Sequence, residues 1–201
     1  VLGGDMKIGF MLPVMGAMAT QENMVAMAQL AEARGFESVW VPDHVIMPTR
    51  IVSTYPYTKS GGFIADPKGS HLDPITSLAF VAGCTKRVRL GFSVLVAPYR
   101  HPVVTGKMMA TIDVLSNGRL DVGVGAGWLN EEFEALGVPT EKNGRARKNI
   151  FGFGKNYGLR KSPNMTVNII ASPTCNAAPS HCRSHIRRSP LAATERPALG
   201  G

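Results

Sequence analysis

The chain has 201 residues, 44% of them hydrophobic, which is enough to bury a core, and no run of about 18 apolar residues that would span a bilayer. The net charge of +8 invites a nucleic-acid reading, but residues 1–141 hold 11 Lys+Arg against 13 Asp+Glu and residues 142–201 hold 11 against 1, so the basicity belongs to the C-terminal stretch alone. No charged-then-apolar leader with a small-residue cleavage site opens the sequence, and the three cysteines cannot all pair with one another. Both observations point to a reducing, cytoplasmic setting.

Lys7 to Met11 reads as the first strand and Pro13 to Ala19 as a loop. Thr20 is an N-cap for a helix whose apolar face is Met24, Met27, Ala28 and Ala31, and Gly35 stops it. A methionine stripe at helical spacing is core material more often than a ligand groove. Glu37 to Val41 is the second strand, followed at once by Pro42-Asp43-His44. Residues 45–72, rich in Pro, Gly, Ser and Tyr, form a long connection suited to covering a site mouth. Asp73-Pro74 opens the next helix, with Ile75, Leu78, Ala79 and Ala82 on one face.

The stretch from Val88 to Glu132 carries the densest pattern. Arg89 to Val94 is a strand, and Tyr99-Arg100-His101 leads into a helix opened by Pro102. Val104, Met108, Thr111, Ile112 and Leu115 define its apolar face, and Ser116-Asn117-Gly118 its left-handed stop. Leu120 to Val124 is a further strand, and Gly123, Gly125 and Gly127 permit close backbone approach. The alternation of short strands and helices predicts a parallel α/β fold, either a doubly wound sheet or a (β/α)8 barrel.

The pieces GFESVWVPDHV, RHPVV, ATIDVLSNGRL and GVGAGWLNEEFEALGVP, in this order between about residues 6 and 141, resemble the luciferase-like monooxygenase superfamily. They are most similar to its branch of oxidoreductases dependent on the deazaflavin coenzyme F420. The resemblance implies the N-terminal half of a (β/α)8 TIM barrel over residues 1–141, and the acid-poor, aperiodic composition of 142–201 points to a largely disordered basic tail. A break in reading frame between about Asn143 and Ser162 would explain the change of texture, in which Met165 to Ala171 alone reads as a strand. Four strands leave two unpaired edges, and barrel phosphate sites are usually built after the seventh and eighth strands, so cofactor binding by this chain alone is expected to be impaired.

In a parallel barrel the site lies at the C-terminal strand ends. By resemblance, His44 and Asp43 are the catalytic candidates, His44 moving a proton and Asp43 orienting it or bonding the cofactor ring. Ser93 and Val94 fall where relatives carry a non-prolyl cis peptide bulge behind the ring. With Asp43, Val96, Gly125, Ala126, Gly127 and Trp128 they complete the expected cofactor pocket. Trp128 stands where sugar-phosphate dehydrogenases of the superfamily carry a catalytic Glu, which argues against that activity. Read from the residues alone, Asp43-His44 is a turn with a solvated histidine, Arg100-His101 leads into a helix, and Glu131, Glu132 and Glu134 form a solvated first-turn face.

The GVGAG run lacks the third glycine spacing and distant acid of a dinucleotide fingerprint. Cys175, His181, Cys182 and His185 match no standard zinc spacing, and the Arg-rich end has no interleaved aromatics for nucleic acid. The expectation is hydride transfer between F420 and a small organic substrate, with no metal, nucleic acid or membrane partner and a homodimer open. The alternatives are an FMN-dependent monooxygenase and a catalytically dead half-barrel acting in interactions.

Overall fold

The computed structural model describes residues 6–63, 66 and 68–139, and the backbone of 166–169. Its elements in chain order are β1 (Gly9–Met11), α1 (Gln21–Ala33), β2 (Ser38–Val41), α2 (Pro74–Cys84), β3 (Arg89–Val96), α3 (Pro102–Leu115), β4 (Leu120–Gly125), α4 (Asn130–Ala135) and β5 (Thr166–Ile169). A 3-10 turn, Ala97–Tyr99, separates β3 from α3. The helix starts follow local chemistry: Thr20 Oγ1 accepts from the Asn23 N–H, and the Asp73 carboxylate accepts from the Thr76 N–H at 2.8 Å. At the far end of α3, Asn117 (φ 59°) and Gly118 (φ 78°) take the left-handed conformation that ends the helix.

The strands lie in the order β1-β2-β3-β4-β5, every neighbouring pair parallel. A right-handed crossover that always steps to the next strand on the same side keeps every helix on one face. Met24 and Ala28 of α1, Leu78 and Val81 of α2, and Met109 and Ile112 of α3 accordingly share one core with Val39, Leu90, Phe92, Leu120 and Val122. A doubly wound sheet would reverse direction and place helices on both faces. This is the wall of a (β/α)8 barrel. Five strands stand where four were expected: the strand expected at Met165 to Ala171 is β5, which pairs along the edge of β4, whereas the disorder expected of the rest of the basic tail lies outside the described residues.

The opposite face, which lines the barrel interior, is filled by one large ring and one ion pair. Trp40 pairs in register with Met11 on one side and Gly91 on the other, and its Nε1 donates to Ser38 Oγ at 2.7 Å. A Cβ on Gly91 would collide with the six-membered ring of Trp40, and one on Gly9 would lie 2.5 Å from Trp40 Nε1. Beside the ring, Arg89 grips Asp121 on the next strand through two bonds of 2.6 and 2.7 Å.

The face of α3 differs from the expectation. Thr105, Gly106, Met109, Ile112 and Asp113 are buried, whereas Val104 (50% exposed), Met108 (42%) and Leu115 (72%) face outward. Apolar residues occur all round this helix, so periodicity alone chose a face rotated from the real one. The packing choice also rests on polar residues: Asp113 Oδ1 accepts from the Leu120 N–H, and the buried Arg119 donates to the carbonyls of Ala82, Thr85, Val88 and Ser116. Gly91→Ala is expected to cost about 1–3 kcal/mol by overpacking against Trp40, measured by urea unfolding, and less in a Trp40→Ala background.

Candidate active site

The C-terminal ends of β2, β3 and β4 converge on a cleft of about 510 Å3. Asp43 and His44 follow β2, Ser93, Val94 and Val96 close β3, and Gly125 to Trp128 leave β4, so every residue expected at the site lines this one cavity. The Ser93–Val94 peptide bond is cis, and the β3–β4 register shifts between Phe92 and Leu95, which bulges the strand at the position the resemblance implied. Gly125 lies directly beneath Val94, where a Cβ would collide with Val94 Cγ2. Gly127 (φ 79°) turns the chain where a Cβ would meet Phe133 at 2.7 Å and Val96 at 2.8 Å.

Asp43 does not orient His44. Its buried carboxylate takes a two-pronged bond from Arg100, at 2.7 and 2.9 Å, and accepts from the Val96 N–H at 2.8 Å. Arg100 reaches on to Asp73 at 3.0 Å, so this residue, at once a lead into α3 and a minor site candidate in the sequence, ties the cleft to the cap of α2. Burial raises the Asp43 carboxyl above its ordinary value against the pull of Arg100, and the Glu132 charge adds to the rise. Burial also works to lower the Arg100 guanidinium, but the Asp43 and Asp73 carboxylates outweigh it and the net direction is upward. His101, next in sequence, is exposed and caps α3 without a side-chain bond.

His44 is held by Glu132. Its Nδ1 lies 2.8 Å from Glu132 Oε2, and the carboxylate is fully buried, which corrects the expectation of a solvated face. The same Oε2 accepts from Tyr99 Oη at 2.8 Å, while Oε1 accepts from the N–H groups of Val45 and Ile46 at 2.5 and 3.2 Å. Burial and the neighbouring Glu132 carboxylate push the Tyr99 phenol well up. Glu132 sits on α4, which Phe133 seats against Tyr99 and Val96. The clue available in sequence was position: an acid a few residues beyond the fourth strand end belongs at the rim of a barrel site.

The neighbouring Glu131 holds the long connection. Its Oε1 accepts from the N–H groups of Val52 and Ser53 at 2.5 and 2.9 Å, and its Oε2 from Ser53 Oγ at 2.7 Å. The connection thereby lays Tyr55 and Phe63 against Trp128, with ring centroids 4.9 and 5.0 Å from the indole. Phe63 also stands 5.4 Å from the His44 ring. The sequence pointed to a cover over the mouth and to Trp128 at the site, but not to Tyr55 or Phe63. Glu134, as expected, is exposed.

A flat fused ring fits this cleft. The volume lies in the range of small-molecule sites, about 300–1,000 Å3. Val94, Ala126 and Trp128 give apolar surface, and no Lys or Arg is among the described residues that line it. Ser93, Val94 and the Gly125–Trp128 turn would hold such a ring, with His44 beside it. Among the described residues no group of three or more His, Cys, Asp or Glu is placed to bind a metal ion, and no helix is long and apolar enough to cross a membrane.

Residues 6–148 match the family model for the luciferase-like monooxygenase. The chain belongs to that family. Among relatives of the luciferase-like family, an uncharacterized protein of Mycobacterium tuberculosis is 38% identical over 114 residues, 57% of this chain and 40% of its own. The oxygenase component of a flavin-dependent trigonelline monooxygenase from Acinetobacter baylyi is 30% identical over 115 residues, 57% of this chain and 27% of its own. The solved structure of monooxygenase RslO1 from Streptomyces bottropensis superimposes with a TM-score of 0.52 at 31% identity, covering 70% of this chain and 39% of that one. This luciferase-like chain thus spans about 40% of the length of the M. tuberculosis relative.

Two outcomes are expected from this geometry. Arg100→Met strands the buried Asp43 charge and is expected to cost about 3–5 kcal/mol in urea unfolding, with Asp43→Asn in the same chain restoring part of it. For Glu131, burial works to raise the carboxyl, but the Ser53 hydroxyl and the Val52 and Ser53 N–H groups outweigh it and hold it down at about 2. A depressed carboxyl supports the folded loop fully above the ordinary range near about 4.3 and loses that support as the pH falls towards 2. Glu131→Gln is therefore expected to speed tryptic cleavage after Arg50 and Lys59 at neutral pH.

Proposed function

We propose that this segment forms the ring-facing wall of an oxidoreductase that moves hydride between coenzyme F420 and a small organic substrate, with His44 as the proton-handling residue. The observation that carries the reading is the placement of His44 in the same cleft as the Ser93–Val94 bulge and the Gly125–Trp128 turn, with Nδ1 engaged by Glu132. When bound, F420 supplies a two-electron carrier that has carbon at the ring position where flavin has nitrogen, and so transfers hydride without activating oxygen.

The chain's own residues supply the rest. Val94 and the Gly125–Trp128 turn offer apolar contact to the ring, and the Tyr55–Phe63–Trp128 wall excludes water from the side where His44 stands. His44 Nε2, the ring nitrogen not bonded to Glu132, exchanges a proton with the substrate oxygen as hydride moves at the adjacent carbon. Asp43 acts as a strut through Arg100 and takes no proton. The cleft walls suit an uncharged substrate, and the partners expected remain a small molecule and a second copy of the chain.

A second reading, an FMN-dependent monooxygenase, is favoured by the two relatives near 30% identity that are monooxygenases, one of them named as flavin-dependent. Titration with both cofactors, where the barrel is complete, separates the two. The first reading expects F420 to bind about tenfold or more tighter than FMN, a difference of about 1.4 kcal/mol. Preference for FMN, with oxygen uptake after its reduction, supports the second reading and overturns the first. In either case His44→Ala is expected to lower turnover by about 10²–10⁴ with little change in cofactor affinity. An unchanged turnover number would return His44 to a structural role.

A further inference from the structure

We infer that Glu132 is a positioning residue that locks His44 in the Nδ1–H tautomer, so that Nε2 presents a lone pair to the cleft. The inference rests on the reading of His44 as the proton-handling group and names what sets its protonation pattern. Both oxygens of a carboxylate only accept, and four donors converge on this one from two parts of the chain: His44 Nδ1 with the Val45 and Ile46 N–H groups after β2, and Tyr99 Oη before α3. A histidine nitrogen facing such an acceptor carries the proton, and the hydrogen bond at one ring nitrogen dictates the state of the other.

The arrangement also predicts what an uncharged isostere does. In Glu132→Gln the Val45 and Ile46 N–H groups require an oxygen where Oε1 now lies. The glutamine amide nitrogen is therefore forced into the place of Oε2, facing Tyr99 and His44. An NH2 group donates, so His44 Nδ1 must accept and the proton moves to Nε2. The side chain keeps its volume and the ring keeps its place, yet the nitrogen facing the cleft turns from acceptor to donor. The Tyr99 hydroxyl loses its acceptor on Oε2 and must turn elsewhere.

The test is nitrogen-15 NMR of the histidine rings in the full 201-residue chain, at a pH where the ring is neutral, with His44 assigned by the signal missing in His44→Asn. The expected result is an unprotonated Nε2 in the wild type, an unprotonated Nδ1 in Glu132→Gln, and the wild-type pattern in Tyr99→Phe, which removes one donor but leaves the carboxylate. A merely structural role for Glu132 would leave the tautomer unchanged. Protonated Nε2 in the wild type, or an unaltered pattern in Glu132→Gln, overturns the proposal. The wild-type spectrum alone can do so if the glutamine variant does not fold. Because the spectrum needs neither cofactor nor turnover, its outcome is separate from that of the functional reading: an inert His44 with the expected tautomer would refute the function and leave the positioning intact.

Discussion

The cleft depends on one buried negative group. Glu132 lies wholly out of solvent, and a carboxylate there is tolerable only if hydrogen bonds replace the water it has lost. Four donors do so: three from the segment after β2, His44 included, and one from the 3-10 turn after β3. The same bonds that satisfy the charge fix the mutual distance of three strand ends. Without it, the Val45 and Ile46 N–H groups and the Tyr99 hydroxyl would lose their common acceptor, and the imidazole would have no fixed orientation.

A second hydrogen-bond network braces the same strand ends. Asp43 takes Arg100 and the Val96 N–H, and Arg100 continues to Asp73 at the start of α2. The two acids next to the cleft therefore have different work, although Asp43 and His44 adjoin in sequence. Asp43 ties β2 to β3 and α2, while Glu132, far along the chain, serves the histidine. Each carboxylate is matched to donors fixed by backbone geometry, so the division needs no change in the strands themselves.

Small residues make this geometry possible. Gly9 and Gly91 leave room for the Trp40 ring on the inner face, Gly125 for Val94 at the bulge, and Gly127 for Phe133 beneath the turn. The bottom of the wall is thus packed by a ring and an Arg89–Asp121 pair, while the top opens into a space of about 510 Å3. The division suits a barrel, where one end carries stability and the other chemistry.

The order of elements, their caps, the side of α1 and most of the side of α2 could be read from the chain, because capping and helical periodicity are local and Thr20, Asp73, Gly35 and Gly118 act on neighbours in sequence; on α2, Ala79 is exposed and Val81 takes its place in the core. The strand-end segments Asp43-His44, Ser93-Val94 and Gly125 to Trp128 were picked out through the family resemblance, which chose the barrel that the spacing of elements left open and with it the gathering of strand ends at one mouth. Three things were decided only by tertiary structure. The buried side of α3 rotated away from Val104, Met108 and Leu115, because its apolar residues encircle the helix and Asp113 found its donor at Leu120. Arg100 became a strut because Asp43, 57 positions earlier, came within bonding distance. Glu132 went from an apparent surface acid to the buried anchor of His44, 88 positions away. Local sequence records where a side chain can point; whether a charge there meets water or four donors is settled by which distant backbone groups the fold brings to it.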